Sequence, residues 1–288
     1  MHAIFGLKWR VFVAGPTGAV GFEFVRRAQA SGCRLSTLSR SPENARKLVG
    51  LADQIDVQDA CEGIPSLQGI DVVVSSLGAP VTMDHPEKRQ YREVDFLGNQ
   101  RLLDAVESAG VPRFIYVSAH IEPAYRHTAY IQAHEDFVDV LRRSGMSHSV
   151  IRPTGIFTAL NDLVKLARKG VTAVIGDGRA RTNPVHPADV AAQIMQNLDS
   201  GPDEISVGGP EIFTRREIAE LAFRVLAKRP RVLCVPAGVF RAGAWIAGLA
   251  NPRLGELLEF ATAVSTTDCV APSSGQHRLE DHFRSIAA

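Results

Sequence analysis

The sequence is poor in cysteine, and its four cysteines are scattered. They form no CxxC pair and have no histidine at the spacing of a zinc ligand set. This pattern favours neither a metal site nor a disulfide framework. We therefore expect no bound metal ion. The four residues are Cys33, Cys61, Cys234 and Cys269.

An excess of charge of one sign is also missing. The chain has 32 lysines and arginines against 31 aspartates and glutamates, a formal net charge of +1. A balanced charge gives no global attraction to nucleic acid or to an anionic membrane. The sequence also lacks a basic stripe interleaved with aromatic residues. We expect a small-molecule substrate and no nucleic-acid partner, and either a monomer or a homodimer.

Long hydrophobic runs are absent too. No segment reaches the roughly 18 apolar residues that a membrane-spanning helix needs. The longest apolar stretch, 235–250, is divided by Arg241 and predicts a buried or surface-docking helix. The segment 1–10 is too short and too interrupted for a signal peptide. We therefore expect a cytoplasmic protein without an integral membrane segment.

The sequence does contain short apolar runs that alternate with helical patterns. Buried strands and amphipathic helices in alternation predict an α/β fold, namely a doubly wound Rossmann parallel sheet with helices on both faces. The predicted elements, in chain order, are strand 10–14, helix 18–31, strand 35–38, helix 42–49, strand 71–75, helix 95–109, strand 113–117, helix 130–144 and strand 149–151.

Beyond about Pro153 this alternation loosens, with glycine and proline breaks. We predict a dinucleotide-binding domain from 10–152 plus 183–202, where Asp189 would cap a helix at 190–198. A smaller C-terminal substrate-covering region would comprise 153–182 plus 203–288. Its apolar residues predict an apolar pocket; they are Phe157, Leu160, Leu163, Val164, Phe240 and Trp245.

The run GPTGAVG, residues 15–21, lies between the first strand and the first helix. In a dinucleotide-binding loop, Gly15 would make the tight turn and Gly18 would let the backbone approach the pyrophosphate. Gly21 would let helix and strand pack closely. The helix N-terminus would offer free N–H groups to the phosphates. An ordinary glycine turn is the alternative.

The end of the second strand indicates which dinucleotide is bound. An NAD site usually has an acidic residue there, which accepts from the ribose 2′-hydroxyl. This chain has Ser39, Arg40 and Ser41 instead. Arginine can pair with a 2′-phosphate, so we expect NADP(H) to be preferred over NAD(H). A solvent-exposed arginine at a turn is the alternative.

Several motifs occur in an order that resembles a known family. They are GPTGAVG, SRSPEN, SSLGAP, RFIYVSA, LRRSGMSHSVIRPTGIF and VHPADVA. Together they resemble the atypical short-chain dehydrogenase/reductases, and most closely the NmrA-like NAD(P)H-binding branch. The resemblance covers most of residues 10–230 and fades beyond about 235.

The resemblance implies a set of cofactor-binding residues along these motifs. The implied residues are Gly15, Thr17, Gly18, Val20 and Gly21 at the pyrophosphate, Arg40 at the adenosine ribose, Asp56 and Val57 beside the adenine, and Leu77, Gly78 and Ala79 along the far side of the cofactor. Ser118 would lie close to the nicotinamide.

The resemblance also implies a catalytic pair on the long helix. Many members have Tyr-x-x-x-Lys, where the tyrosine transfers a proton and the lysine binds the nicotinamide ribose. Here the matching residues are Tyr130 and His134, on one helical face. A neutral imidazole supplies no fixed positive charge, so the histidine makes a phenolate less favourable. The implied catalytic residues are Tyr130, His134 and Ser118.

Two functions follow from these residues. The first is an NADP(H)-dependent oxidoreductase that reduces a small, mostly apolar carbonyl or activated alkene. The second is a non-enzymatic NADP(H)-binding regulator or assembly factor that senses redox state, which the missing lysine favours. Turnover of NADPH against a panel of carbonyl compounds distinguishes the two.

Overall fold

The computed structural model describes residues 9–82 and 89–287. Seven of its strands form one parallel sheet in the order β3-β2-β1-β4-β5-β6-β9. This confirms the predicted doubly wound α/β fold. The strands are β1 (Arg10–Ala14), β2 (Arg34–Ser39), β3 (Gln54–Val57), β4 (Val72–Ser75), β5 (Arg113–Val117), β6 (Ser147–Pro153), β7 (Thr172–Ile175), β8 (Arg181–Thr182), β9 (Glu204–Val207), β10 (Phe213–Thr214) and β11 (Val232–Val235).

Helices connect and cover these strands. The α-helices are α1 (Ala19–Ala30), α2 (Pro42–Arg46), α3 (Gly98–Ala109), α4 (Ala129–Arg143), α5 (Asn161–Arg168), α6 (Pro187–Gln196), α7 (Arg215–Val225), α8 (Ala237–Ala250), α9 (Pro252–Ser265) and α10 (Leu279–Ala287). A π-helical turn, Arg92–Leu97, leads into α3. None of the described helices is long and apolar enough to cross a membrane.

The alternation of side chains in β1 places a hydrophobic core on each face of the sheet. Val11 belongs to the core under α1 and α6, together with Phe24. Phe12 belongs to the opposite core under α3 and α4, together with Phe137. All four side chains are almost completely buried. The buried run RVFVA is thus explained by helices on both faces.

The structure differs from the predicted organisation at two places. Strand β9 pairs in parallel with β6, so the central sheet continues past the predicted domain boundary at residue 202. Helix α6 begins at Pro187, and His186 caps it by accepting from the Ala188 N–H at 3.1 Å. Asp189 is therefore not the cap; it accepts instead from the backbone N–H of His277.

Candidate functional site

A cleft of about 970 Å³ opens where the glycine loop after β1 meets the carboxyl ends of the neighbouring strands. In an open α/β sheet this edge is where ligands bind. The sheet brings together most of the residues that the sequence predicts. Those that line the cleft are Gly15, Thr17, Gly18, Val20, Gly21, Arg40, Leu77, Gly78, Ala79, Ser118, Tyr130 and His134.

The three glycines of the loop differ in what surrounds them. Gly15 has φ +76°, and a Cβ there would lie 2.5 Å from the carbonyl oxygen of Ser76. A Cβ on Gly21 would collide with the carbonyl oxygen of Gly15, so this glycine allows α1 to pack closely. At Gly18 the nearest atom to an added Cβ is at 3.5 Å, an ordinary contact. Close packing therefore requires Gly15 and Gly21, whereas Gly18 leaves space for a ligand.

The start of α1 is suited to an anion. Gly18 is the N-cap and makes no side-chain cap hydrogen bond. The first N–H groups of a helix have no partner within the helix, and they carry a partial positive charge. The loop therefore presents backbone donors to the cleft, which is the chemistry that a pyrophosphate requires.

Basic side chains line the cleft at the end of β2. Arg40 is exposed, and Lys47 donates to the Asn44 side chain at 3.0 Å. All three residues line the cleft. The first acidic residue further along this wall, Asp59, forms an ion pair with Arg89 at 3.0 Å. This end of the cleft can therefore accept a negatively charged group.

Asp56 and Val57 lie at the end of β3, but they do not line the cleft. The wall begins one residue later, with the segment 58–61. Val57 is 48% exposed, and Asp56 accepts from the Gln54 side chain at 2.9 Å. The residues that line the cleft after β3 are therefore the next ones along the chain, and Asp56 and Val57 themselves do not line it.

Buried polar groups hold the segment after β4, which the sequence predicts along the far side of the cofactor. Asp95 is fully buried, and its Oδ2 accepts from the Ala79 N–H at 3.1 Å. The Asn99 side chain donates to the carbonyl oxygen of Leu77 at 3.2 Å and accepts from Ser75 at 2.5 Å. The loop is therefore fixed by side chains of the helical segment 92–109.

Tyr130 lies in an aromatic cluster at the cleft. Its ring centroid is 4.9 Å from that of Tyr91, 4.5 Å from that of Phe260 and 4.6 Å from that of His134. Burial, with the nearby Asp95, raises the pKa of the Tyr130 phenol well above its usual value. The phenol is therefore protonated over the whole physiological range.

His134 lies deeper than Tyr130 and is only 4% exposed. Its Nδ1 is 2.5 Å from the Tyr116 hydroxyl, and its Nε2 is 3.3 Å from Asp95 Oδ1, without the alignment of a hydrogen bond. Burial lowers the pKa of His134 to about 3, so the ring is neutral. Both ring nitrogens thus face protein groups, which differs from the expected contact with the nicotinamide ribose.

Ser118 follows β5 and is 4% exposed. Its hydroxyl accepts from Arg152 Nη1 at 3.5 Å. The same nitrogen donates to Glu135 at 2.7 Å, within an ion pair that is largely buried. Ser118 therefore lies at the cleft, but its hydroxyl already has a weak partner.

Sequence reasoning missed several residues that hold the predicted ones in place. Asp95 and Tyr116 bind the predicted residues Ala79 and His134, and Arg253 of α9 lies 3.6 Å from the Tyr91 ring. An acidic residue on the buried side of an apolar helix is a signal that could have indicated Asp95. The other two side chains meet the site only through tertiary packing.

The covering region contributes an apolar wall, though with fewer of the predicted residues. Leu160 and Leu163 line the cleft, together with residues of α9. Phe157 and Val164 instead lie in a separate core with α7 and α10. Phe240 and Trp245 do not line the cleft: they belong to α8, where Trp245 is 70% exposed. Most of the segment 235–250 is thus the surface helix α8, which packs against α9, while Val235 ends strand β11.

A sequence model of a family described as NAD(P)H-binding matches residues 15–201, about two thirds of the chain. The chain belongs to this NAD(P)H-binding family. The NAD(P)H binding that the resemblance implies is thereby confirmed at the level of the family. The matched range contains the glycine loop, Arg40 and the Tyr130 helix, and the family's ligand is a nicotinamide cofactor.

Two curated proteins illustrate what the chain is similar to. The chain is 27% identical to the NADH-ubiquinone oxidoreductase 40 kDa subunit of Neurospora crassa, over 84% of this chain and 66% of that protein. It is 26% identical to the divinyl chlorophyllide a 8-vinyl-reductase of Zea mays, over 96% of this chain and 79% of that protein. The chain thus spans about two thirds of the length of the fungal relative.

A solved structure shows the same fold. The NADPH-dependent quinone oxidoreductase of Escherichia coli, in complex with NADPH, superposes with a TM-score of 0.75 at 15% identity. The match covers 96% of this chain and 99% of that protein. At this identity the likeness concerns the fold alone.

Proposed function

We propose that the chain is an NADP(H)-dependent oxidoreductase that reduces a small, mostly apolar carbonyl or activated alkene. The observation that supports this most is the position of Tyr130. This phenol lines the same cleft as the glycine loop and the apolar residues of the covering region. A proton donor, a cofactor loop and an apolar wall are the three parts that such a reduction needs.

The described residues fit NADP(H). The backbone of 15–21 would hold the pyrophosphate, since Gly18 leaves room for it. Arg40, with Lys47 beside it, would bind the 2′-phosphate. The segment 76–79, fixed by Asp95 and Asn99, would lie along the nicotinamide side. When bound, the cofactor supplies the hydride.

The protonation state of Tyr130 supports reduction. Because burial raises the pKa of this phenol, it stays protonated at physiological pH and has a proton for a developing alkoxide or carbanion, whereas the phenolate that would act as a base in an oxidation is not formed. His134 is neutral and forms a hydrogen bond with Tyr116, so it does not favour the phenolate form of Tyr130. The chain's own residues would therefore position the substrate, exclude water and deliver one proton from the Tyr130 hydroxyl.

Oxidation of NADPH in the presence of apolar aldehydes, ketones and conjugated enones tests the proposal. We expect turnover with at least one class of acceptor, and a product that carries hydrogen at the carbonyl or alkene carbon. A protein that binds NADPH tightly but oxidises it with no member of the panel would contradict the reductase.

That outcome would favour the second candidate, a non-enzymatic NADP(H)-binding redox-sensing regulator or assembly factor. The specific observation for it is His134, which stands at the lysine position and has its ring nitrogens directed at Tyr116 and Asp95. One similar protein is also named as a subunit of a larger oxidoreductase. A partner that binds the NADPH-loaded and NADP-loaded forms differently would support this candidate.

A further inference from the structure

A partly buried arginine lines the cleft on the side of the covering region. Arg215 is the first residue of α7, and its Nη2 donates to the carbonyl oxygen of Val264 at 2.6 Å. Its Nε–H is buried and has no hydrogen-bond partner among residues 9–82 and 89–287. Burial lowers the pKa of this guanidinium, but an arginine stays charged at physiological pH. The wall of the cleft thus contains a cation with an unused donor.

The protein groups around Arg215 do not neutralise it. The nearby carboxylate, Asp268, accepts from the backbone N of Arg181 at 2.7 Å and from its guanidinium at 3.0 Å. Tyr125 and Cys269 also lie near, and burial raises the pKa of both side chains, which are therefore neutral. In the described part of the chain Arg215 forms no ion pair. A desolvated cation without a counter-ion is unfavourable, so an anion of the ligand would be stabilised there.

Arg215 lies on a different side of the cleft from the residues that we propose to hold the cofactor's phosphates. The other lysine and arginine side chains among the described lining residues are Arg40, Lys47 and Arg89, which lie on the β2 and β3 side of the cleft. On the side of the covering region the wall is mostly apolar, with Leu163, Ile175, Ile218, Leu257 and Phe260. The Asp162 carboxylate on this side pairs with Lys165 at 2.7 Å. Apolar walls with one convergent charged group are typical of sites that orient a small molecule.

We propose that the substrate carries a carboxylate on an apolar body and that Arg215 binds this carboxylate. The proposal rests on the proposed reductase and narrows its substrate class. One guanidinium without a second cation suits a monoanion, because a phosphate dianion is usually held by several donors. Binding at Arg215 would leave the carbonyl or alkene end of the substrate free to lie toward Tyr130.

Binding of cinnamate and of the neutral cinnamamide tests this proposal. Both probes have the same apolar body, and only cinnamate is charged. Isothermal titration of the full chain, with and without NADP, should show cinnamate bound at least about tenfold more tightly than the amide, which one charge-assisted hydrogen bond can supply. Equal affinities in the unmodified protein would overturn the proposal.

Substitutions of Arg215 and of the neighbouring Arg216 show which residue causes the preference for cinnamate. Arg215→Met should make the affinities for the two probes equal, and Arg215→Lys should retain part of the preference. Arg216→Met is the matched control, since Arg216 is the next residue, pairs with Glu220 and does not line the cleft. If Arg216→Met lost the preference for cinnamate as fully as Arg215→Met, the preference would come from the general positive charge of this region and not from a binding site at Arg215. Melting curves of each variant show that it is folded.

Turnover gives a second readout. For an aldehyde that carries a carboxylate, Arg215→Met should raise KM at least about tenfold and leave kcat within a few-fold; for its methyl ester, KM should not change. If cinnamate binding depends on Arg215 but the chain does not bind NADPH, the proposed reductase is contradicted and the anion site is supported. If NADPH binds tightly but cinnamate is not preferred over cinnamamide, the anion site is contradicted and the proposed reductase is not.

Discussion

His134 Nδ1 lies 2.5 Å from the hydroxyl of Tyr116, and both side chains are buried. Since the ring is neutral, the geometry fits a tautomer in which Tyr116 donates to Nδ1, while Nε2 lies 3.3 Å from Asp95 Oδ1 without a hydrogen bond. Asp95 in turn accepts from the backbone of Ala79 at the cleft. His134, at the position of the family's lysine, therefore lies between Tyr116 of β5 and the Asp95 carboxylate that holds Ala79. In this position the histidine has a structural role.

This buried histidine predicts a dependence of stability on pH. Its folded-state pKa of about 3 is below the ordinary 6.5, so between these values the unfolded chain binds a proton that the folded chain does not. Stability is full above about pH 6.5 and is lost as the pH falls; at pH 5 the free energy of unfolding should be about 2 kcal/mol lower from this group.

Urea unfolding at pH 8 and pH 5 measures this loss. In His134→Gln the difference between the two pH values should shrink by about that 2 kcal/mol, because glutamine does not titrate. His127→Gln, at an exposed histidine, should leave the difference unchanged. The same pH dependence in wild type and His134→Gln would show that other groups cause it.

We propose that the cofactor preference depends on Arg40. We expect NADPH to bind at least about tenfold more tightly than NADH, which corresponds to about 1.4 kcal/mol and is within reach of one charge-assisted pair. Arg40→Ala should remove most of this preference. Arg46→Ala is the control, because Arg46 is exposed on α2 and does not line the cleft. Equal affinities of the wild type for the two cofactors, measured by titration, would disprove the assignment.

The space at Gly18 predicts a selective loss of cofactor binding. In Gly18→Val the added Cβ meets no close protein atom, so the fold should persist, while the branched side chain fills the space for the pyrophosphate. Titration should show no NADPH binding, with a circular dichroism spectrum like that of wild type. Gly243→Val, in open space on α8, should bind normally. Normal affinity in Gly18→Val would show that the loop is an ordinary turn.

Removal of the proposed proton donor predicts a loss of turnover. Tyr130→Phe should reduce kcat about a hundredfold to ten-thousandfold, the usual effect of losing a general acid. Because the pKa of the phenol is raised, the wild-type rate of reduction should not fall between pH 7 and pH 9. Tyr125→Phe is the control: Tyr125 also lines the cleft, but its hydroxyl donates to the His120 backbone. A full rate in Tyr130→Phe would assign the proton to Ser118 or to water.

The parts of the protein that the sequence determined are those with local causes. The strands Arg10–Ala14 and Arg113–Val117 occur where the apolar runs predict them, since a strand covered on both faces needs a continuous apolar run. Two demands on the glycine loop are local as well: Gly15 has φ +76°, and a Cβ on Gly21 would collide with the carbonyl oxygen of Gly15. Strand β3 was not predicted, because it is short and only partly buried.

The tertiary structure decided which groups meet across the fold. His134 and Tyr130 share a helical face, yet packing against Tyr116 and Asp95 directs the His134 ring into the interior. Trp245 is exposed, whereas Arg215, which no motif marks, lines the cleft beside α9. Helical spacing gives the side of a helix but not its neighbours. A buried charge depends on those neighbours for its partners, so the substrate side of the site could be found only in the folded chain.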